Sequence, residues 1–146
     1  MSITDYAPAS TRIALITGGN RGLGLATARV LGRAGVRVLV GARDTAQGRE
    51  AAAFLRDDGC DAEPVEIDVT CETCVARAAA EVGRRYGRLD ILVNNAGILP
   101  EATTEGIDRP LDPSMVRRTF ETNVFGAVAV TWSFLPLLRG RSPGGS

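Results

Sequence analysis

Three glycines, Gly18, Gly22 and Gly24, follow the apolar run Ile13-Ala14-Leu15-Ile16 at the spacing Gly-x-x-x-Gly-x-Gly and open an amphipathic segment. Glycine permits a tight turn and positive φ, and it lets backbone N–H groups come close to an anion. That anion would also lie at the positive end of a helix dipole. Thr17-Gly18-Gly19-Asn20-Arg21-Gly22-Leu23-Gly24 is therefore a candidate pyrophosphate cradle, and a strand before it with a helix after it makes dinucleotide binding the expectation. The second apolar run ends in Gly41-Ala42-Arg43-Asp44, which puts a cation where a pocket for an unphosphorylated ribose needs a carboxylate. The planar fork of Arg43 suits a 2′-phosphate, and Arg21 of the glycine loop approaches from the other side. The cofactor expected is NADP(H) in preference to NAD(H). Asp44 counts against it only if its carboxylate points inward.

Other reactive side chains are sparse. All seventeen basic residues are arginine, with neither lysine nor histidine in the chain, so the usual general acid near neutral pH is missing. Tyr6 and Tyr86 are the only tyrosines, and Asp90, not lysine, stands four residues after Tyr86. Cys60, Cys71 and Cys74 form an odd count without an export signal, which favours reduced thiols over a disulfide framework. Cys71-Glu72-Thr73-Cys74 does have redox spacing at a helix start, where a thiol pKa is depressed. With Cys60 the only further thiol and no histidine, no metal site is expected.

The elements that must position these residues alternate. Ile13–Ile16 reads as a buried strand, and Leu23, Ala26, Val30, Leu31 and Ala34 mark a helix closed by Gly35. Val36–Val40 is the second strand, Thr45–Asp58 a helix ending at Gly59, and Pro64–Val69 the third strand. Thr70 is the expected N-cap of a helix through Val75, Ala79 and Val82 to Tyr86. Leu89–Val93 is the fourth strand, ended by Asn94-Asn95-Ala96-Gly97. After a loop bearing Pro100, Pro110 and Pro113, a long apolar helix runs from about Ser114 to Leu138. Strands alternating with helices imply an α/β fold, a doubly wound parallel sheet of the Rossmann kind, with its ligand crevice at the carboxyl ends of the strands. The domain organisation expected is a polar leader at 1–11, a partial nucleotide-binding domain at 12–139 and a loop-like tail at 140–146.

Thr17 to Gly24, Asp68-Val69, Asn94-Asn95-Ala96-Gly97 and Asn123 together resemble the short-chain dehydrogenase/reductase family, and the wording of the glycine loop and of Gly41-Ala42-Arg43-Asp44 is similar to its carbonyl-reductase-like branch. The resemblance covers nearly all of the chain from Arg12 but only the first half of the family's pattern. It implies that Asp68 bonds the adenine amino group, that Val69 lines the adenine slot, and that Asn95, Ala96 and Gly97 run beside the cofactor ribose. Asn94 and Asn95 also admit a purely structural role. The family's working set is Asn, Ser and Tyr-x-x-x-Lys, of which only Asn123 has a match. There it bends the long helix and relays protons, whereas an asparagine without those partners serves backbone groups. The cysteine pair falls at a family helix start and is read as coincidental.

The implied function is an NADP(H)-dependent oxidoreductase that reduces a carbonyl or oxidises an alcohol, with this chain an amino-terminal portion that is catalytically incompetent alone. The alternatives are a module that binds nucleotide without turnover, as a pseudoenzyme half, and an inactive fragment. Zero net charge leaves no basic field for nucleic acid or an anionic membrane, and no run approaches the length of a membrane span, so a cytoplasmic protein is expected. Phe120, Val124, Val128, Trp132 and Leu135 form an apolar stripe on the long helix. Beside a fourth strand left as a sheet edge, that stripe makes a homo-oligomer through residues 114–138 the expected partner, with the nicotinamide dinucleotide and a small carbonyl or alcohol as ligands.

Overall fold

A computed structural model describes residues 11–98 and 112–140. Most of the leader, the loop with Pro100 and Pro110, and most of the tail lie outside the described residues. Four parallel strands, β1 (Ile13–Thr17), β2 (Arg37–Ala42), β3 (Ala62–Glu66) and β4 (Ile91–Val93), form one sheet in the order β3-β2-β1-β4. Helices α1 (Gly22–Arg33), α2 (Thr45–Asp57) and α3 (Glu72–Tyr86) connect them, and α4 (Pro113–Phe120) passes through a π-helical turn at Glu121–Gly126 into α5 (Ala127–Leu138). This is the doubly wound α/β arrangement expected from the alternation.

β1 explains the layering. Its side chains alternate between faces, as the pleat requires, and all five residues are buried. Ile13 and Leu15 join Leu39, Val65 and the inner faces of α3 and α5 through Val75, Val82, Val130 and Phe134. Ala14 and Ile16 join Val38, Val40 and the inner faces of α1 and α2 through Ala28, Ala52 and Leu55. A strand apolar on both faces is thus covered on both faces, each fully buried large side chain contributing about 1.5–3 kcal/mol.

The element ends differ from the sequence reading in instructive places. β2 runs through Gly41 and Ala42, because Thr17 pairs with Gly41, and Ala42 with Glu66 of β3. β3 stops at Glu66 instead of reaching Val69: with β2 finished, the last tie is Ile67 N–H donating to Ala42 O at 3.0 Å. Thr70 does not cap α3, since its hydroxyl donates to Asp68 Oδ1 at 2.7 Å. Cys71 takes the N-cap position instead, its sulfur accepting from Cys74 N–H at 3.2 Å. Cys71 and Cys74 are joined as a disulfide, which corrects the expectation of reduced, coincidental thiols: an extended N-cap followed by one helical turn brings their Cα atoms to 5.2 Å, within bridging range.

The long helix is not a continuous α-helix. Gly126 in the π-turn faces Val69, where an added Cβ would lie 2.9 Å from Val69 Cγ2 and 3.1 Å from Val69 O. Close approach of the helix to the loop between β3 and α3 therefore fixes where the extra residue is accommodated, in keeping with the frequency of π-bulges near functional sites.

Candidate cofactor-binding site

Strand order reverses between β1 and β4, and a cavity of about 420 Å³ opens there at the carboxyl ends of the strands, the position at which doubly wound sheets hold ligands. Gly18, Asn20, Arg21 and Gly22 form one wall, Ala42 and Arg43 the next, Asp68 and Val69 the third, and Asn95, Ala96 and Gly97 the fourth. Four separate connections thus bring together most of the residues singled out in the sequence. Leu23 and Gly24 stand behind the lining: Leu23 is 76% exposed on the outer side of α1, and Gly24 is buried, with no room for a Cβ beside Gly18 O and Asn95 Nδ2.

The glycine loop leaves α1 open at its start. Arg21 is the N-cap residue in extended backbone and makes no side-chain cap hydrogen bond, and the first intrahelical bond runs from Leu25 N–H to Arg21 O at 3.2 Å. The N–H groups ahead of Leu25 are the helix's unpartnered donors. Gly18 (φ 63°) and Gly22 (φ 55°) adopt left-handed backbone, and at Gly18 a Cβ would stand 3.0 Å from Ala96 Cα. Uncapped N–H groups beside open, side-chain-free backbone fit a pyrophosphate.

Thr17, given no role in the sequence reading beyond the loop's first residue, organises the floor. It is the buried polar residue of the described core, 1% exposed. Its Oγ1 accepts from Asn95 N–H and Ala96 N–H, both at 3.0 Å, and has a long contact of 3.4 Å to Val93 O. Asn95 Nδ2 donates to Gly18 O at 3.1 Å. The glycine loop and the loop after β4 are consequently one hydrogen-bonded unit. The signal in sequence was a hydroxyl at the end of a wholly apolar strand, where a buried polar group needs partners.

Asp68 accepts from Thr70 twice on Oδ1, from the hydroxyl at 2.7 Å and from N–H at 3.0 Å. These two bonds, hydroxyl first, hold its carboxyl below the usual carboxylate range, and the positive charge of Arg43 acts in the same direction. Asp44 borders the cavity and caps α2, its Oδ1 accepting from Gln47 N–H at 2.9 Å. Gln47 in turn accepts from Asn20 Nδ2 at 3.1 Å, joining α2 to the glycine loop. With Asp44, the residues Gln47, Ile67, Thr70, Ile98 and Thr122 complete the lining; these five were not foreseen, because each owes its place to where a strand or helix begins or ends.

Asn123 lies in the π-turn, beside the cavity wall. Its Oδ1 accepts from Ile98 N–H at 2.7 Å and its Nδ2 donates to Ile98 O at 2.8 Å, a bidentate grip on the chain beyond Gly97. Asn94 Nδ2 donates to Thr131 Oγ1 at 2.9 Å, tying β4 to α5. No group of three or more metal-ligating side chains gathers among the described residues, and no described helix is long and apolar enough to cross a membrane.

The family model for short chain dehydrogenases matches residues 12–146. The chain belongs to the short-chain dehydrogenase/reductase family. Among curated relatives of this family, short-chain dehydrogenase/reductase ATR10 of Stachybotrys chlorohalonatus is 39% identical over 139 residues, covering 92% of this chain and 50% of the relative. Among solved structures, the Pseudomonas aeruginosa RhlG/NADP active-site complex superposes with a TM-score of 0.79 at 37% identity, over 91% of this chain and 50% of the other. A gluconate 5-dehydrogenase from Burkholderia cenocepacia in complex with NADP and tartrate gives 0.73 at 32% identity, over 86% and 48%. The chain spans about half the length of the curated relatives it matches. The family model that matches is one of short chain dehydrogenases, and the cavity lies within the residues it matches.

Proposed function

We propose that the cavity takes NADP(H), and that the chain supplies the nucleotide half of an oxidoreductase that reduces a carbonyl or oxidises an alcohol. The observation that carries the choice of cofactor is at the end of β2. Arg43 lines the cavity there, and the adjacent Asp44, which also borders it, turns its Oδ1 to the N-terminus of α2. A 2′-phosphate would meet the guanidinium groups of Arg43 and Arg21 across the rim.

The remaining contacts follow the same reading. The open N–H groups of α1, with Gly18, Asn20, Gly22, Leu23 and Gly24 shaping the turn, would hold the pyrophosphate. Asp68 Oδ2, which takes no part in the bonds from Thr70, would accept from the adenine amino group, with Val69 against the ring. Asn95, Ala96 and Gly97 would border the ribose. The nicotinamide, when bound, would supply hydride to a carbonyl or accept it from an alcohol; Asn123, with both amide atoms engaged by Ile98, would hold the chain beyond Gly97 in place. Residues 1–146 contain no lysine and so cannot present the family's Tyr-x-x-x-Lys pair, which makes binding without turnover the expected behaviour of these residues alone.

Titration by NADPH fluorescence tests the cofactor reading. Arg43→Ala should weaken NADPH binding by about 10-fold or more, the worth of a charge-assisted hydrogen bond, and leave NADH almost unchanged. An unaltered NADPH preference in this variant would remove the assignment, and absence of NADPH binding by the unsubstituted chain would remove the site.

A further inference from the structure

Cys71 and Cys74 take no part in the nucleotide chemistry. Their disulfide closes across the first turn of α3. Cys71 is the N-cap, with its sulfur accepting from Cys74 N–H at 3.2 Å and lying 3.3 Å from the Thr73 hydroxyl. Both residues are partly exposed, whereas Cys60 is buried and free. Cys71 N–H donates to Asp68 O at 3.1 Å, so the pair directly continues the cavity wall formed by Asp68, Val69 and Thr70.

A thiolate is the reactive form of cysteine, and a helix N-terminus with N–H and hydroxyl donors on the sulfur stabilises it. In this turn those donors converge on Cys71 and not on Cys74. A solely structural staple would call for none of this, since it requires neither access nor a stabilised thiolate. We infer that Cys71 and Cys74 are a reversible thiol–disulfide exchange site, with Cys71 the exchanging sulfur and Cys74 the resolving one, working with a thiol–disulfide couple of the glutathione class.

The step balances as follows. The Cys71 thiolate attacks one sulfur of an external disulfide, forming a mixed disulfide and expelling one thiolate. Cys74, on losing its proton, attacks Cys71 Sγ, forms the Cys71–Cys74 bond and expels the second thiolate. The protein gives up two electrons and two protons, and the external disulfide becomes two thiols. Reduction is the reverse, beginning with attack of an external thiolate on Cys71 Sγ.

Native chain is incubated with oxidised glutathione, blocked by alkylation and read by peptide-resolved mass spectrometry. The unsubstituted chain should give a bridged Cys71–Cys74 peptide that reduced glutathione reopens under native conditions. Cys74→Ser should stop at a glutathione adduct on Cys71. Cys71→Ser should form an adduct on Cys74 severalfold more slowly, because the N–H and hydroxyl donors that stabilise a thiolate converge on Cys71. The inference is overturned if Cys71 and Cys74 are both alkylated as free thiols after oxidation. It is equally overturned if the bridge opens only in denaturant, or if the two single variants form adducts at equal rates. Because none of these readouts uses a nucleotide, failure of NADPH to bind leaves this result standing, and the unsubstituted chain decides the matter if a variant does not fold.

Discussion

Thr17 brings a single hydroxyl into a strand whose other residues are all apolar, and two backbone N–H groups depend on it. Valine has the same shape without the acceptor. Thr17→Val should therefore destabilise the chain by about 1–3 kcal/mol, the cost of leaving buried donors unpaired, and should lower the melting temperature without altering the far-ultraviolet circular dichroism. A melting curve superimposable on the parent's would show that water replaces the hydroxyl. Arg43 and Asp44 teach the complementary lesson at adjacent positions: both are charged, exposed and on the border of the cavity, yet only Asp44 caps a helix. Residue type alone could not separate them, whereas the hydrogen bond to Gln47 does.

The two helices on one face of the sheet meet through an ion cluster. Asp58, the C-cap of α2, accepts from Arg29 Nε at 2.9 Å and from Arg33 Nε at 2.8 Å, both on Oδ2. Hydrogen bonds from Arg29 and then Arg33 hold its carboxyl far below the usual carboxylate range. A carboxyl whose pKa is lowered by folding stabilises the native chain above its unfolded pKa, and that contribution is lost as pH falls through its folded value. Asp68 and Asp112, lowered through Thr70 and Ser114 respectively, act with the same sign. Melting temperature should hold level from neutrality to about pH 5 and fall progressively below about pH 4. Asp58→Asn should flatten that fall, and a profile identical to the parent's would rule the cluster out as a contributor. Because the arginines are exposed, added salt should shrink the difference.

Elements were legible from sequence where one local signal decided them. The two-sided apolar character of β1, the glycine closing α1 and the glycine loop itself fall into this class. They were not legible where a neighbour decided them. β3 ends because β2 ends, the N-cap of α3 falls one residue after Thr70 because Asp68 claims that hydroxyl, and the π-turn follows from Gly126 meeting Val69. The cysteine pair was visible as spacing but not as a bond, since the bond depends on the backbone at Cys71 being extended. Most walls of the cavity were foreseen because each lies at a strand end. Thr17 and Ile98 were missed as organisers because their roles rest on hydrogen bonds to residues far away in the chain.

At the scale of the whole molecule, one face stands out. Phe120, Val124, Phe125, Val128 and Trp132 are each more than two-fifths exposed, Trp132 at 76%, while the opposite side of the same helix buries Val130 and Phe134. Contiguous exposed apolar surface of this kind favours association. Raising the concentration of the chain should increase its mass by light scattering and shift the emission of its single tryptophan to shorter wavelength. Trp132→Glu should suppress the mass increase, and a monomer at every concentration would overturn the expectation.

The alternation along β1 and β2 reaches further than the two layers it fills. Leu15 and Leu39 belong to one apolar cluster, while Ile16 and Val40, their immediate neighbours in sequence, belong to the other. Neither cluster can open without pulling apart the backbone that supplies part of the other. The described domain is therefore built to melt as a cooperative unit, and a ligand held at the carboxyl ends of these strands would steady both sides of the sheet at once.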